Sequence, residues 1–196
     1  MSNRIIIRND DVLLSSTAHY ENSFERFKYV HELTQISSRL VHVPAIVTEE
    51  IRAFPEAIEY IQAETKAKRM TPQLHGLLHV DYGKLSRLVI IAHLEESIEW
   101  FITTLGYSPT IWYTPWGANQ PHLHEVAEIL SLKVIDCSNT IKFKGRYGVT
   151  QVLKEGRPLS FFYGSEIIMH WWNDLDVERL KFFANLLKED ETSNNN

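Results

Sequence analysis

The residues best suited to chemistry in this chain fall into two groups. Asp10 and Asp11 are adjacent carboxylates at the end of the run Ile5-Ile6-Ile7-Arg8-Asn9, and His75-Gly76-Leu77-Leu78-His79 follows much later. Imidazole nitrogen and carboxylate oxygen are ligands that a borderline divalent ion such as zinc takes, and a second carboxylate beside the first offers a base for a water that the ion activates. Together the groups read as a metal-dependent hydrolase. Each alone has a plainer explanation. With nine histidines in 196 residues, about 0.4 pairs at this spacing arise by chance. An Asp-Asp pair, for its part, is often a solvated strand end or a helix cap. What favours chemistry is the setting, because α/β folds place their sites where a strand delivers polar residues just past its carboxyl end.

Such side chains need elements to position them. Residues 4–9 read as a buried strand, and residues 21–38 carry Phe24, Phe27, Val30, Leu33 and Ile36 at helical spacing. A strand is expected over 41–47. Thr48 is then the expected N-cap of a helix running through Lys68 with Phe54, Ile58 and Ile61 inward. Residues 73–78 form a third strand, and 84–105 the longest amphipathic helix, stopped by Gly106. A strand over 111–114, a helix over 121–130, a strand over 133–137, a strand over 166–171 and a helix over 175–187 complete the order. Residues 138–165 show no clear pattern. The alternation of strand and helix predicts an α/β fold on a mostly parallel sheet, open or closed into a barrel.

Length and a 44% hydrophobic content suit one domain over residues 1–188, followed by a polar tail, 189–196, expected to be disordered. The net charge of −5 and the scattered basic residues argue against a nucleic-acid partner. No segment is long and apolar enough to span a bilayer, so no membrane partner is expected. Cys137 is the single cysteine, which excludes an internal disulfide, fits a reducing compartment and reads as a small buried hydrophobe. The run from Met1 into the first strand is not a secretory signal, and a cytoplasmic location is the expectation, although helper-dependent export leaves no such trace.

Four motifs in order resemble one family. Asp10-Asp11 after a strand, His75-Gly-Leu-Leu-His79 with Val80-Asp81-Tyr82 behind it, Thr114-Pro115-Trp116-Gly117-Ala118 before a helix, and Ile167-Ile168-Met169-His170 late in the chain are similar to the polysaccharide deacetylase (NodB-like, carbohydrate esterase family 4) superfamily. The resemblance covers residues 4–188. It implies a distorted (β/α) barrel of mostly parallel strands with outer helices, and removal of an N-acyl group, usually acetyl, from an amino sugar. It also implies one divalent ion held by Asp11, His75 and His79, with zinc preferred and cobalt, nickel or manganese compatible. Asp10 takes the place of the general base, and His170 that of the general acid. The backbone N–H of Trp116 takes the place of an oxyanion donor.

The chain departs from the family pattern in three places. The third motif of the family usually begins with an arginine that steadies the catalytic aspartate, and Tyr113 stands there. Val12 replaces a glycine after the aspartate pair, and the motif that pairs an aspartate with a tryptophan is reduced to Asp136, which also reads as a capping or surface residue. The resemblance therefore implies a divergent branch in which Asp10 lacks its usual cationic neighbour. Tyr82, Tyr113, Trp171 and Trp172 are candidate substrate contacts, with a core role the alternative for at least one of the two tryptophans. His122 and His124 read as surface residues, and His19, His31, His42 and His93 have weaker claims. A carbohydrate or another small acylated molecule is the expected substrate. The alternatives are a non-sugar amide or a catalytically silent carbohydrate-binding descendant.

Overall fold

The computed structural model describes residues 4–12, 23–136, 141–142, 148–155 and 157–193. Its centre is a sheet of seven strands in the order β5-β4-β3-β2-β1-β7-β6, formed by Ile5–Val12 (β1), Leu40–Val47 (β2), Gln73–Gly76 (β3), Ile111–Tyr113 (β4), Lys133–Ile135 (β5), Ile141–Lys142 (β6) and Glu166–His170 (β7). Every pairing among the described residues is parallel. The sheet curls into a half-barrel with helices around it, as the distorted barrel expectation required. The helices are Ser23–Thr34 (α1), Thr48–Ile51 (α2), Pro55–Lys66 (α3), Arg87–Trp100 (α4), Pro121–Ile129 (α5), Val149–Lys154 (α6) and Asp174–Ser193 (α7). No helix among the described residues is long and apolar enough to cross a membrane.

Strand alternation sorts the two faces. Ile5, Ile7 and Val12 join Phe27, Ile61, Leu94, Leu180 and Phe183 in the main core between sheet and helices. Ile6 on the opposite face joins a smaller inner cluster with Val43, Ala45 and Tyr113. The polar side chains at the end of β1 therefore emerge from between two apolar layers, which fix where the strand ends.

Several boundaries differ from expectation, each for a local reason. The helix expected over 48–68 is two, because Pro55 has no N–H to donate and its ring excludes continuous helix; the chain breaks at Phe54 and restarts with Pro55 in the first turn. Thr48 is not the cap. It lies inside the first turn after Val47, and its hydroxyl pairs with Ser97 Oγ at 3.0 Å. The long helix begins at Arg87 behind a Ser86 cap and ends in a π-helical turn, Phe101–Leu105, that closes on Gly106. α7 continues to Ser193, so residues 189–193 of the expected tail are helical. Arg39 binds Asp190 at 2.5 Å, and Ser37 and Ser38 donate to Glu191, tying that end to the start of β2. Within 138–165, β6, α6 and a 3₁₀ turn at Leu159–Phe162 are formed. Cys137 lies outside the described residues.

Behind β1 runs a buried polar chain that sequence reading undervalued. Asn9 Nδ2 lies 3.5 Å from His42 Nε2, His42 Nδ1 lies 3.0 Å from His31 Nδ1, and His31 Nε2 lies 3.0 Å from Glu64 Oε2. Arg69 closes the chain at the surface with two bonds to Glu64, of 2.6 and 2.7 Å. An amide NH₂ can only donate, so His42 Nε2 accepts, His42 Nδ1 donates to His31 Nδ1, and His31 Nε2 donates to Glu64. Only one proton arrangement satisfies all three links, and in it both rings are neutral. Burial pushes His42 well below its ordinary value and lowers His31, although Glu64 opposes the latter shift. The hydrogen bonds from Arg69 hold the Glu64 carboxyl at about 2.

This arrangement makes stability depend on pH. In the unfolded chain both histidines titrate near 6.5, so below that pH the unfolded state binds more protons than the folded one and stability falls as acid is added. Urea unfolding from pH 7.5 to 5.5 should show a declining stability, with each histidine adding up to about 1.4 kcal/mol per pH unit. His42→Gln should flatten the decline. Parallel profiles for variant and wild type would mean that His42 is not held neutral.

Candidate active site

In a regular strand, Asp10 and Asp11 would face opposite sides of the sheet. Here β1 carries a bulge. Asn9 pairs with Pro44 and Val12 with Ile46, so two residues of β1 face one of β2 between those pairs. Asp11 has φ 57°, in the left-handed region. Bulges re-aim side chains next to sites, and this one turns Asp11 toward β3 while Asp10 stays in line with Arg8. A proline at the bulge is in keeping, because Pro44 has no N–H to give to the ladder. Left-handed backbone at a non-glycine residue costs on the order of 1–3 kcal/mol and persists where the surroundings over-determine it. The indole Nε1 of Trp171 donates to the carbonyl of Asp11 at 2.6 Å, and the backbone N–H of Trp171 donates to Asn9 Oδ1 at 3.0 Å. These bonds clamp β1 to β7 on both sides of the aspartate pair.

His75 and His79 arrive from β3 and the loop after it. The strand expected to reach Leu78 stops at Gly76, whose φ is 141° and where a Cβ would stand 2.7 Å from the Tyr82 hydroxyl. That hydroxyl accepts the backbone N–H groups of Leu77 at 3.0 Å and Leu78 at 3.4 Å, and the Leu77 carbonyl accepts from the Glu49 N–H at 3.0 Å. Tyr82 is fully buried against Trp112, and burial pushes its hydroxyl up to about 12. It therefore shapes the loop that carries His79 and is not a substrate contact.

The ligand atoms of Asp11, His75 and His79 lie within 4.8 Å of one another. Asp11 Oδ1 is 3.2 Å from His75 Nε2 and 2.9 Å from His79 Nε2. His75 Nδ1 donates to the Tyr113 carbonyl at 2.7 Å, which leaves Nε2 as the nitrogen with a free lone pair. Two nitrogens and one oxygen converging in this way fit a divalent ion and leave a side open. Burial alone would raise the Asp11 carboxyl, but the hydrogen bonds and charge of His75 and His79 outweigh it and hold the group well below the usual carboxylate range.

The remaining candidates separate into two sets. His170 at the end of β7 pairs in register with Asp10, and its Nε2 is 3.7 Å from Asp11 Oδ2. Trp172 is half-buried with its ring 5.0 Å from that of His170. Trp116 is 73% exposed, has φ 60°, and places its ring 5.1 Å from His79. His170 and Trp116 thus stand beside Asp11 and His79, and Trp172 lies next to His170. Trp171 and Tyr113, by contrast, are wholly buried and offer no face to a ligand. Trp171 is the core tryptophan of the pair, and the Tyr113 hydroxyl donates to Glu166 Oε2 at 2.8 Å. His124 is exposed and bonded to Asn119, in keeping with a surface role.

The expectation that Asp10 lacks a cation is overturned. Arg8, two residues earlier on β1, is 0% exposed and binds both oxygens of Asp10, with Nε–Oδ1 and Nη2–Oδ2 distances of 2.6 Å each. Sequence reading treated Arg8 as part of an apolar run. Alternation alone places residues 8 and 10 on one face, so that spacing was the available signal. Glu166, Asn9 and the backbone carbonyl of Asp136, which accepts from Arg8 Nη1 at 3.4 Å, were missed as well.

No protein-family model and no curated protein matches the chain. Solved structures do. A carbohydrate esterase family 4 pseudoenzyme from Bacillus anthracis is similar at TM-score 0.70 and 13% identity, over 96% of this chain and 62% of that one. A mutant of it with restored enzymatic activity is similar at TM-score 0.70 and 14% identity, over 97% and 64%. The chain thus spans less than two thirds of that protein. The peptidoglycan deacetylase PdaC from Bacillus subtilis is similar at TM-score 0.67 and 13% identity, over 96% and 85%. A family 4 carbohydrate esterase from Streptomyces lividans, in complex with acetate, is similar at TM-score 0.67 and 14% identity, over 97% and 91%. The fold of this chain is that of the family 4 deacetylases.

Trp171→Phe keeps an aromatic ring but removes the N–H together with the five-membered ring that carries it. We expect urea unfolding to show a loss of at least about 1 kcal/mol, the net worth of a buried hydrogen bond, with the void left in the core adding to it. An unchanged stability would mean that the indole does not brace the Asp11 backbone.

Proposed function

We propose that this chain is a divergent polysaccharide deacetylase: a metal-dependent hydrolase that removes an N-acyl group, acetyl in the first instance, from an amino sugar or glycan. The observation that supports the reading is the convergence of Asp11, His75 and His79, with Asp10 next to Asp11 on β1 and His170 paired across from Asp10 on β7.

Asp11 Oδ1, His75 Nε2 and His79 Nε2 would hold one divalent ion, zinc in preference, with cobalt, nickel or manganese suited to the same donors. Such an ion supplies Lewis acidity and makes a water acidic enough to react near neutral pH. Asp10 takes a proton from the attacking water as its oxygen bonds to the acyl carbon. The Trp116 N–H donates to the oxyanion that develops there. As the C–N bond breaks, His170 delivers a proton to the leaving nitrogen, so an amine and a carboxylic acid are released. The exposed ring of Trp116 and the half-buried ring of Trp172 supply apolar faces for a sugar ring.

A silent carbohydrate-binding descendant is the second reading, favoured by the pseudoenzyme among the structural neighbours. Against it stands the presence of all five chemical side chains. Purified protein should hold close to one divalent ion per chain by elemental analysis, and His79→Ala should lose most of it. Equal metal content in both would sink the ligand assignment.

Asp10→Asn and His170→Ala should keep fold and metal while turnover on an acylated amino sugar falls about 10²- to 10⁴-fold. Loss of metal from His170→Ala would make that residue a ligand. Full metal occupancy without turnover on any acylated sugar would favour the silent descendant, and turnover confined to simple amides would move the substrate away from carbohydrate.

A further inference from the structure

The guanidinium of Arg8 is held on every edge. Its Nε and Nη2 take the two oxygens of Asp10, and Nη1 reaches the Asp136 carbonyl at 3.4 Å and Glu166 Oε1 at 3.5 Å. Its flat face lies 4.1 Å from the centre of the Tyr113 ring. Glu166, through Oε2, also accepts the Tyr113 hydroxyl at 2.8 Å, so ring and carboxylate form one rigid seat. A fork bound to both carboxylate oxygens fixes the rotation of that carboxylate as well as its distance, which a lysine ammonium cannot do. Each carboxylate oxygen keeps a second lone pair for other partners.

Topology explains why the cation can come from here. β1 and β4 are separated in the sheet by β2 and β3, which in a flat sheet would put them about 14 Å apart. Arg8 and Tyr113 nevertheless touch, because the sheet curls and its inner face brings the two strands toward each other. A side chain at position 113 on β4 and one at position 8 on β1 thus reach the same space beside Asp10 from opposite walls. The resemblance of the third motif implies an arginine at the former place; here an aromatic ring stands there and arginine stands at the latter.

We infer that Arg8 is the positioning residue for Asp10, doing from β1 what an arginine at position 113 would do from β4, with Tyr113 and Glu166 as the seat of its guanidinium. The inference rests on the reading of Asp10 as general base. It assigns to Tyr113 a holding role in place of substrate contact, and it makes the arginine-free third motif a relocation of charge. An isolated buried carboxylate beside Asp11 and Glu166 would be costly, and the relocated guanidinium is what compensates it.

Three variants test the relocation in metal-loaded protein: Arg8→Met, which keeps bulk and loses charge; Arg8→Lys, which keeps charge and loses the fork; and Arg8→Thr with Tyr113→Arg, which returns the guanidinium to β4. Arg8→Met and Arg8→Lys should each lower kcat about 10²-fold with KM and metal content unchanged, and the double variant should turn over at least about ten times faster than Arg8→Thr alone. Crystal structures give a readout independent of turnover. The Asp10 carboxylate should rotate away in Arg8→Met and return in the double variant. Wild-type turnover in Arg8→Met, or an Asp10 carboxylate unmoved in its structure, overturns the inference. Where Arg8→Met does not fold, Arg8→Lys and the double variant decide by the same two readouts. If wild type is inactive on every acylated substrate while Asp10 still rotates in Arg8→Met, the catalytic reading fails and the positioning role stands.

Discussion

The site depends on a single backbone departure, the left-handed conformation of Asp11 at the end of β1. Strand geometry sends neighbours to opposite faces, so two adjacent carboxylates can serve one cleft only if the strand is interrupted between them. The bulge opposite Ala45 does this, and it leaves Asp10 beside Arg8 while turning Asp11 to His75 and His79. Such backbone is unfavourable by itself. It survives because β7 fastens it, through Trp171 on the Asp11 carbonyl and through Asn9 on the Trp171 N–H.

That fastening reaches deep into the protein. Asn9 is the inner end of the chain through His42, His31 and Glu64 to Arg69 on the surface. A buried polar chain with every member satisfied allows few alternatives, since any slip of β1 would strand a donor or an acceptor without water. The loop that carries His79 has its own brace, because the Tyr82 hydroxyl accepts two of its N–H groups and leaves no room for a side chain at Gly76. Residues on several elements thus fix the geometry of Asp11, His75 and His79 from outside that cluster.

Charge is organised with similar economy. Asp10 and Asp11 near the carboxyl end of β1 and Glu166 at the start of β7 are the carboxyls of this region, and Arg8 bridges Asp10 and Glu166 while His75, His79 and His170 stand beside Asp11. The structural neighbours include both deacetylases and a pseudoenzyme, so the fold alone does not settle activity. The arrangement of these side chains bears on the possibilities, and here Asp10 and His170 are cross-strand neighbours beside the cluster of Asp11, His75 and His79.

The sequence by itself determined the alternation of elements, the strand that ends in two aspartates and the order of the four motifs. Hydrophobic periodicity and residue type are local properties, and a strand or helix needs little more to be recognised. Proline and capping effects were legible too, yet Pro55 was passed over and the helix it divides was read as one. The roles of Tyr82, Tyr113 and Trp171 were decided by tertiary structure alone, because an aromatic beside a motif looks the same whether it faces a ligand or the core. Arg8 is the clearest instance. Its spacing to Asp10 was visible, but that its fork would lie over Tyr113 depends on the curl that brings β1 and β4 together across the inner face, and curvature summed over four strands is not written in any local stretch of the chain.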